Sequence, residues 1–277
     1  LSRINEYEVD DEVKKFTVIG NPVGHSLSPI IHKEFAKQQG ISIQYKMIEP
    51  ESEGHFETHT QSFFSKKGYG ANITIPFKEL AFDFANDHDL SAIECQCANT
   101  LISKDGKIKA YNTDGEGFIK DLQNKNISII DREILVLGAG GSASSIINSL
   151  SKVSIKKIDI LSRTQQKVDK LIDKYKTYSN IDSYEKNKQY DLIINTTPVS
   201  LMNDEIKFPE DIFKSSSIAY DLFYSKSTTH FQTWSKNNNA LEAYNGLGML
   251  IEQAALSYKI WNDFEPNTKG VEKILGF

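Results

Sequence analysis

Residues 133–143 read EILVLGAGGSA, and this stretch decides the fold of the chain. The apolar run ILVL is typical of a buried strand, and the small residues after it are typical of a tight turn that opens a helix near Gly141. Gly138, Gly140 and Ala143 have the spacing G-x-G-x-x-A. In dinucleotide-binding folds, such residues permit the turn, let a pyrophosphate approach the backbone, and let the helix pack on the strand. The stretch therefore predicts a dinucleotide site with its phosphates at the helix start, although small residues also occur in turns that bind nothing.

Strands and helices alternate from residue 133 onward. Apolar runs predict strands at 158–161, 190–195 and 217–222, with helices at 144–150 and 165–175 between them. This alternation predicts a parallel sheet with helices on both faces. The residues before 133 alternate too, with shorter elements. A strongly apolar helix at 247–261 ends the pattern and must be buried, and we expect it to pack against the front domain.

We therefore predict two α/β domains with a cleft between them. Residues 14–113 together with 246–277 are expected to form the N-terminal substrate-binding and catalytic domain. Residues 114–245 are expected to form the C-terminal Rossmann-type dinucleotide-binding domain, with a parallel sheet. Residues 1–13 are polar and lack the apolar core of a secretory signal, so we expect an extension or tail.

The composition is that of an ordinary globular enzyme. The chain has 277 residues, 39% of them hydrophobic and 25% charged. A net charge of −5 gives no reason to expect nucleic acid or an anionic membrane as a partner. No apolar run approaches the roughly 20 residues of a membrane span. Cys95 and Cys97 are too few for a disulfide framework, which favours a reduced, cytoplasmic setting.

The end of the second strand of the dinucleotide motif indicates which cofactor binds. NAD-binding folds place an acidic residue there for the ribose 2′-hydroxyl, whereas NADP-binding folds accommodate a 2′-phosphate. Here the strand ends in Ser162, Arg163 and Thr164, with Lys167 one helical turn later, while Asp159 falls inside the strand. Arginine can form a bidentate contact with phosphate, and hydroxyls can donate to it. The pattern favours NADP, with an ordinary turn as the alternative.

Two serines in the front half mark a candidate anion site. Ser28 followed by Pro29 predicts a helix N-cap and first turn, and Gly40 predicts the end of that helix. Ser26 and Ser28 then lie at the positive end of a helix, where two hydroxyls could hold a small carboxylate. Plain capping, which needs Ser28 alone, is the alternative.

Hydride transfer to a carbonyl also requires a proton donor, because the new alkoxide must be protonated. The candidates near loop tips are Lys78, Asp114 and His25. Taken alone, a solvated lysine and an aspartate N-cap remain the alternatives. His55 and His59 have the spacing of two metal ligands on one helix face, but no further ligand set accompanies them, so we expect no metal.

Nine segments in order carry a resemblance to a known family. They are GNPVGHSLSPIIH (20–32), GANITIPFK (70–78), ANT (98–100), YNTDGEG (111–117), GAGGSA (138–143), SRT (162–164), INTTP (194–198), YDLFY (220–224) and GLGMLIEQAA (246–255). Together they resemble shikimate dehydrogenase, which reversibly reduces 3-dehydroshikimate to shikimate with NADPH in the chorismate route to the aromatic amino acids. The resemblance implies a cytoplasmic oxidoreductase, monomer or homodimer, with a small-molecule substrate and no nucleic-acid or membrane partner.

The resemblance also implies roles for particular residues. Lys78 would be the proton donor or acceptor, with Asp114 beside it. The substrate site would comprise Ser26, Ser28, Thr74, Lys78, Asn99, Asp114, Tyr224 and Gln253. The NADP site would comprise Gly138, Ala139, Gly140, Gly141, Ser142, Ser162, Arg163, Thr164, Lys167, Leu222 and Gly246.

Three departures from the family pattern stand out. Ser162 replaces a usual asparagine, and Asn245 replaces a usual aspartate or alanine. The usual N-A-T-x-x-G-M reads NTTPVSL over 195–201, with Ser200 in place of the glycine, so the loop near the nicotinamide is expected to differ. A quinate/shikimate dehydrogenase that uses NAD or NADP, and a non-catalytic ligand-sensing module on the same scaffold, remain as alternatives. The presence of both Lys78 and Asp114 argues against the sensor, because binding alone needs no proton-transfer group.

Overall fold

Two six-stranded sheets organise residues 13–277, the part of the chain that this computed structural model describes. Except for its last residue, the predicted extension at 1–13 lies outside the described residues. Within 13–277, no helix is long and apolar enough to cross a membrane. The same residues contain no group of three or more His, Cys, Asp or Glu side chains placed to hold a metal ion.

The first sheet is mixed. Its strands are β1 (Lys14–Ile19), β2 (Ile43–Ile48), β3 (Gly68–Ile73), β4 (Asp87–His88), β5 (Thr100–Lys104) and β6 (Lys107–Tyr111), in the spatial order β2-β1-β3-β5-β6-β4. The pairs that β1 forms with β2 and β3 are parallel, whereas β5 runs antiparallel to both β3 and β6. Asp105 and Gly106 join β5 to β6 with φ of 52° and 75°. Asp-Gly is a typical sequence for such a hairpin turn, and both positive φ values suit it.

Four helices accompany this sheet: α1 (Ser28–Gln39), α2 (Glu53–Ser65), α3 (Lys78–Phe84) and α4 (Leu90–Cys95). The prediction of Ser28 as the N-cap of α1 is wrong. Leu27 is the N-cap, because its carbonyl accepts hydrogen bonds from the amides of Ile30 and Ile31 at 3.0 Å each. No side chain caps this helix, so Ser28 is not occupied with capping. Gly40 ends α1 in the left-handed conformation, as predicted.

The second sheet is entirely parallel. It contains β7 (Glu133–Leu137), β8 (Lys157–Leu161), β9 (Ile181–Ser183), β10 (Tyr190–Asn195), β11 (Phe213–Asp221) and β12 (Glu242–Tyr244), in the order β12-β11-β10-β7-β8-β9. Its helices are α5 (Asp114–Asn124), α6 (Gly141–Leu150), α7 (Gln165–Tyr175), α8 (Val199–Met202) and α9 (His230–Asn237). The strand order reverses between β7 and β10, which is the switch point of a doubly wound sheet. The glycine turn follows β7, so it lies at that switch point.

The apolar C-terminal helix joins the two halves. This helix, α10 (Leu247–Asn262), is followed by α11 (Val271–Ile274) and packs against both α1 and α5. A Cβ atom at Gly117 of α5 would lie 2.7 Å from the Gln253 amide nitrogen, so α5 and α10 approach more closely than a side chain there would allow. Ile251 belongs to the core around α1, whereas Met249 packs into the core of the second sheet. The helix is therefore buried by both halves and not by the front half alone.

Candidate active site

A cleft of about 1040 Å³, partly open to solvent, lies between the two sheets. All eight predicted substrate residues line it: Ser26, Ser28, Thr74, Lys78, Asn99, Asp114, Tyr224 and Gln253. Three of the predicted cofactor residues, Ser142, Leu222 and Gly246, line the same space. Side chains far apart in the sequence thus share one cavity.

Lys78 and Asp114 form an ion pair in the cleft. The Lys78 Nζ atom lies 2.6 Å from Asp114 Oδ2, and their side chains are only 14% and 6% exposed. Lys78 Nζ also donates to Ser142 Oγ at 3.2 Å, a contact that crosses from α3 to α6. Asp114 is the first residue of α5, where the helix dipole favours a negative charge. The pair is therefore an ammonium held between a carboxylate and a hydroxyl, with its surroundings largely closed to water.

An amide network fixes the carboxylate of Asp114. Asn99 Nδ2 lies 2.8 Å from Asp114 Oδ1, 2.8 Å from Thr113 Oγ1 and 3.1 Å from Gln253 Oε1. Gln253 Nε2 donates to the Leu250 carbonyl at 2.8 Å, which orients the glutamine side chain. The network links β5, α5 and α10. It leaves one carboxylate oxygen, Oδ2, for the lysine.

The two serines line the cleft beside Tyr224. Ser26 Oγ accepts a hydrogen bond from the Ser28 amide at 3.3 Å, which leaves the hydrogen of the Ser26 hydroxyl for Tyr224 or for a ligand. The Tyr224 hydroxyl accepts from the Leu27 amide at 3.4 Å. Burial raises the pKa of Tyr224 above its usual value, with hydrogen bonds from Leu27 and Ser26 opposing the shift, so the phenol remains protonated. The cluster presents neutral hydroxyls that can donate to an anion.

The glycine turn has the shape that a pyrophosphate requires. Gly138 has a φ of 112°, and a Cβ atom there would lie 2.4 Å from Thr196 Oγ1, so only glycine fits. A Cβ atom at Gly140 would meet nothing within 4 Å, which leaves open space above the turn. Gly140 is also the N-cap of α6, and no side chain caps that helix. The amides at the start of α6 therefore face a space where phosphate oxygens could accept from them.

Exposed cations follow β8, the second strand of this sheet. Arg163, Thr164 and Lys167 are exposed, and neither cation pairs with a carboxylate within the described part of the chain. Asp159 is fully buried within β8 and bonds to Lys188 Nζ at 2.8 Å and to the Tyr190 hydroxyl at 2.9 Å. Because Asp159 lies inside the sheet, no carboxylate of β8 faces the place of a cofactor ribose. The residues at this strand end suit a 2′-phosphate better than a bare 2′-hydroxyl.

Sequence reasoning missed part of the cleft wall. Thr196, Thr197, Pro198 and Leu201 line the cleft on the side of the second sheet. The sequence analysis placed this loop near the nicotinamide through its resemblance to the family pattern, but it did not name these four residues as part of the site. His25 also lines the cleft, with its ring centroid 6.4 Å from that of Tyr224. Burial lowers its pKa, and the charge of Glu49 partly opposes this shift.

Three family profiles match the chain in succession. The profile described as shikimate dehydrogenase substrate binding domain matches residues 18–101. The profile for shikimate / quinate 5-dehydrogenase matches residues 121–205, and the shikimate 5′-dehydrogenase C-terminal domain matches residues 246–275.

Full-length relatives agree with these profiles. The chain is 38% identical over 264 residues to the shikimate dehydrogenase (NADP(+)) of Vibrio atlanticus, covering 94% of this chain and 95% of the relative. It is 36% identical over 267 residues to the enzyme of the same name from Shewanella halifaxensis, covering 95% of each. The crystal structure of the Thermus thermophilus shikimate 5-dehydrogenase in complex with NADP(H) and shikimate superposes with a TM-score of 0.84 at 26% identity, covering 94% of this chain and 98% of that one.

Proposed function

The chain belongs to the shikimate dehydrogenase family, and we propose from this premise that its cleft reduces 3-dehydroshikimate to shikimate reversibly with NADPH. It is an NADP-dependent oxidoreductase of aromatic amino acid biosynthesis. The observation that carries the proposal is the contact of 2.6 Å between Lys78 Nζ and Asp114 Oδ2 inside a cleft that the glycine turn borders. A binding module would not need a buried ammonium at this place.

Lys78 supplies the proton. Reduction of a ketone places a negative charge on its oxygen, and an ammonium beside that oxygen stabilises the charge and donates a proton to it. In the reverse direction, the neutral amine takes the proton from the alcohol. Ser142 and Asp114 hold the Lys78 Nζ atom from two sides, which fixes where that proton is delivered.

Asp114 and its neighbours orient the substrate. A carboxylate that is held by Asn99 accepts hydrogen bonds from substrate hydroxyls, and Gln253 and Thr74 present further polar atoms to the same cavity. Ser26, Ser28 and Tyr224 line the same cleft, and their hydroxyls would donate to the substrate carboxylate. The charged pair and these hydroxyls give a small hydroxylated acid one preferred orientation.

The cofactor residues fit NADP. Gly138 to Ser142 would hold the pyrophosphate against the start of α6, and Ser162 to Lys167 would hold the 2′-phosphate. Leu222 and Gly246 line the cleft where the reactive end of the cofactor would enter. When bound, NADPH supplies the hydride for the reduction.

We also propose which part of the chain binds the substrate and which binds the cofactor, and where in the cell the enzyme acts. Residues 14–113 with 246–277 bind the substrate, and residues 114–245 bind the cofactor, with the enzyme acting in the cytoplasm as a monomer or homodimer. The cores support this division: Phe118 and Leu122 of α5 pack with the second sheet, whereas Ile251 and Tyr258 of α10 pack with α1.

A matrix of substrates and cofactors tests the proposal. Absorbance of the reduced cofactor is followed with shikimate or quinate, each with NADP or NAD. We expect the fastest turnover with shikimate and NADP. Turnover that is as fast with quinate or NAD would favour the quinate/shikimate alternative, and no turnover in any combination would favour a sensor.

Two lysine variants make this test sharper. Lys78→Ala is expected to lower kcat by about 100-fold or more, because it removes the proton donor. Lys109→Ala is the matched control, since Lys109 forms an ion pair with Asp87 at 3.6 Å on the surface of the first sheet. Near-normal turnover of Lys78→Ala would contradict the assigned role.

A further inference from the structure

A buried carboxylate outside the catalytic pair organises the cofactor side of the cleft. Asp221 ends β11 and is fully buried. Its Oδ1 atom accepts from Asn195 Nδ2 at 2.9 Å and from the Phe223 amide at 3.2 Å. Its Oδ2 atom accepts from Ser200 Oγ at 2.6 Å and from Thr229 Oγ1 at 2.7 Å. Four donors therefore converge on one side chain.

No cation balances this carboxylate. Among the described residues, no lysine, arginine or histidine forms an ion pair with Asp221. Burial raises its pKa above the usual value, and the hydrogen bonds from Ser200, Thr229, Asn195 and Phe223 oppose that shift. Burying a carboxylate without a counter-ion is unfavourable unless hydrogen bonds satisfy it. Because the buried carboxylate is satisfied only when all four donors are in place, it holds the chain segments that carry these donors in fixed positions.

Those segments form the wall of the cleft. Asn195 is held by Asp221, and its own Oδ1 atom accepts from Thr197 Oγ1 at 2.6 Å and from the Thr197 amide at 3.1 Å. Ser200 belongs to the short helix α8, which follows directly. The Phe223 contact shapes the turn that leads to Tyr224. The cleft-lining residues of these segments are Thr196, Thr197, Pro198, Leu201, Leu222, Phe223 and Tyr224.

The same wall packs on the glycine turn. Thr196 donates to the Leu137 carbonyl through both its amide, at 2.9 Å, and its hydroxyl, at 2.8 Å. Its Oγ1 atom occupies the place that a side chain on Gly138 would need. Thr196, Thr197, Pro198 and Leu201 line the same cleft as Lys78, so a dinucleotide whose pyrophosphate lies at this turn would extend along these residues into the cleft. The wall is therefore the surface that meets the reactive end of the cofactor.

Ser200 is one of the residues at which this chain departs from its family pattern. Its hydroxyl donates to Asp221 and accepts from the Phe231 amide at 3.1 Å, near the start of α9. A glycine at this position could make neither contact. The departure therefore adds one donor to the Asp221 cluster and ties α8 to both β11 and α9.

We propose that Asp221 is a positioning residue for the nicotinamide end of NADPH, and that Ser200 is the specific contact through which it holds the loop at 196–201. The proposal rests on the proposed function for the identity of the cofactor. Asp221 itself does not line the cleft, so it acts through the segments that its carboxylate holds.

The test measures NADPH binding directly, by calorimetric titration of the full chain, together with separate KM values for NADP and shikimate. Ser200→Ala is expected to raise the NADPH dissociation constant and the KM for NADP about fivefold, since it removes one hydrogen bond to a charged group. Asp221→Asn is expected to raise both more than tenfold. The substitution replaces one accepting carboxylate oxygen with an NH2 group, which cannot accept the hydrogen bonds made there. The KM for shikimate should stay within twofold in Ser200→Ala.

Asp159→Asn is the matched control. Asp159 is a fully buried carboxylate of the same sheet, in β8, and it contacts Lys188 and Tyr190 instead of the cleft. This variant should lower Tm while NADPH affinity stays within twofold of the wild type. If Asp221→Asn does not fold, Ser200→Ala decides the question, because it removes only one donor.

Two results would overturn the proposal. The first is NADPH affinity within twofold of the wild type in Ser200→Ala and in any Asp221→Asn that folds, even where Tm falls. The second is a rise in the shikimate KM as large as the rise in the NADP KM. If the wild type binds NADPH but does not turn over shikimate, the proposed function fails and the titrations still decide the role of Asp221. If the wild type does not bind NADPH, both proposals fail.

Discussion

The free energy of unfolding should decrease as the pH is lowered below about 6.5, because one histidine is buried in the core. His32 of α1 is fully buried among aromatic rings, with its ring 4.8 Å from that of Tyr45 and 5.0 Å from that of Trp261. Neither ring nitrogen has a hydrogen-bond partner among the described residues. Burial lowers the pKa of His32 from 6.5 to about 3, and the side chain of Asn72 opposes this shift only in part. The imidazole is therefore neutral in the folded protein down to strongly acidic pH.

The sign and size of the effect follow from proton linkage. The unfolded chain binds a proton at His32 below pH 6.5, whereas the folded chain does so only near pH 3, so acid favours the unfolded state between these values. One pKa unit corresponds to about 1.4 kcal/mol, so lowering the pH from 7 to 5 should remove about 2 kcal/mol of the free energy of unfolding through this residue alone. Above pH 6.5 the effect vanishes, because the residue is neutral in both states.

Urea unfolding of the wild type and of His32→Phe at pH 7 and pH 5 measures this contribution. Phenylalanine keeps an aromatic ring in the stack but cannot be protonated. We expect the wild type to lose about 2 kcal/mol more than the variant over this interval. Replacing His55, which is exposed on α2, with phenylalanine removes a histidine outside the core and should leave the wild-type loss in place. Equal losses in the wild type and His32→Phe would refute the reasoning.

Two further predictions concern the proposed substrate and cofactor sites. Ser26→Ala should raise the KM for shikimate about tenfold with a smaller change in kcat, because it removes a hydroxyl donor to a carboxylate, and an unchanged KM would remove Ser26 from that site. Arg163→Ala should raise the KM for NADP about tenfold or more and leave that for NAD unchanged, since only NADP carries the 2′-phosphate. A parallel rise for both cofactors would show that Arg163 does not discriminate between them.

Local sequence signals were sufficient for the long elements. The sequence predicted β10 and α7 with their observed bounds, residues 190–195 and 165–175. The edge strands β9 and β12 were missed, because three residues are too few to show alternation. The helix α9 was missed although Thr229 and Gln232 form a capping box, a signal that was present in the sequence.

The contacts between residues of the cleft could be identified only from the folded structure. Asn99 and Gln253 stand 154 positions apart, and their contact depends on how α10 packs against α5. That packing depends on Gly117, where a side chain would collide with the backbone of α10. Asp221 gave no sequence signal beyond its place in the YDLFY segment, because the donors that surround it come from two stretches of the chain, residues 195–200 and 223–229, that only the fold brings together. Hydrogen bonds between distant segments are fixed by tertiary packing, and no local pattern reports them.

The ion pair of the cleft joins both halves of the molecule, and this explains why neither half contains a complete site. Lys78 begins α3 beside the first sheet, whereas Asp114 begins α5, whose Phe118 packs edge-on against Tyr220 of the second sheet at 5.0 Å between ring centroids. Ser142, the third member, lies at the start of α6, directly after the glycine turn. Lys78, the proposed proton donor, therefore contacts the same helix start that would hold the cofactor phosphates. Any shift of the glycine turn relative to the first sheet would therefore change the surroundings of Lys78 Nζ. If the proposed roles hold, cofactor binding and proton transfer depend on the same helix start.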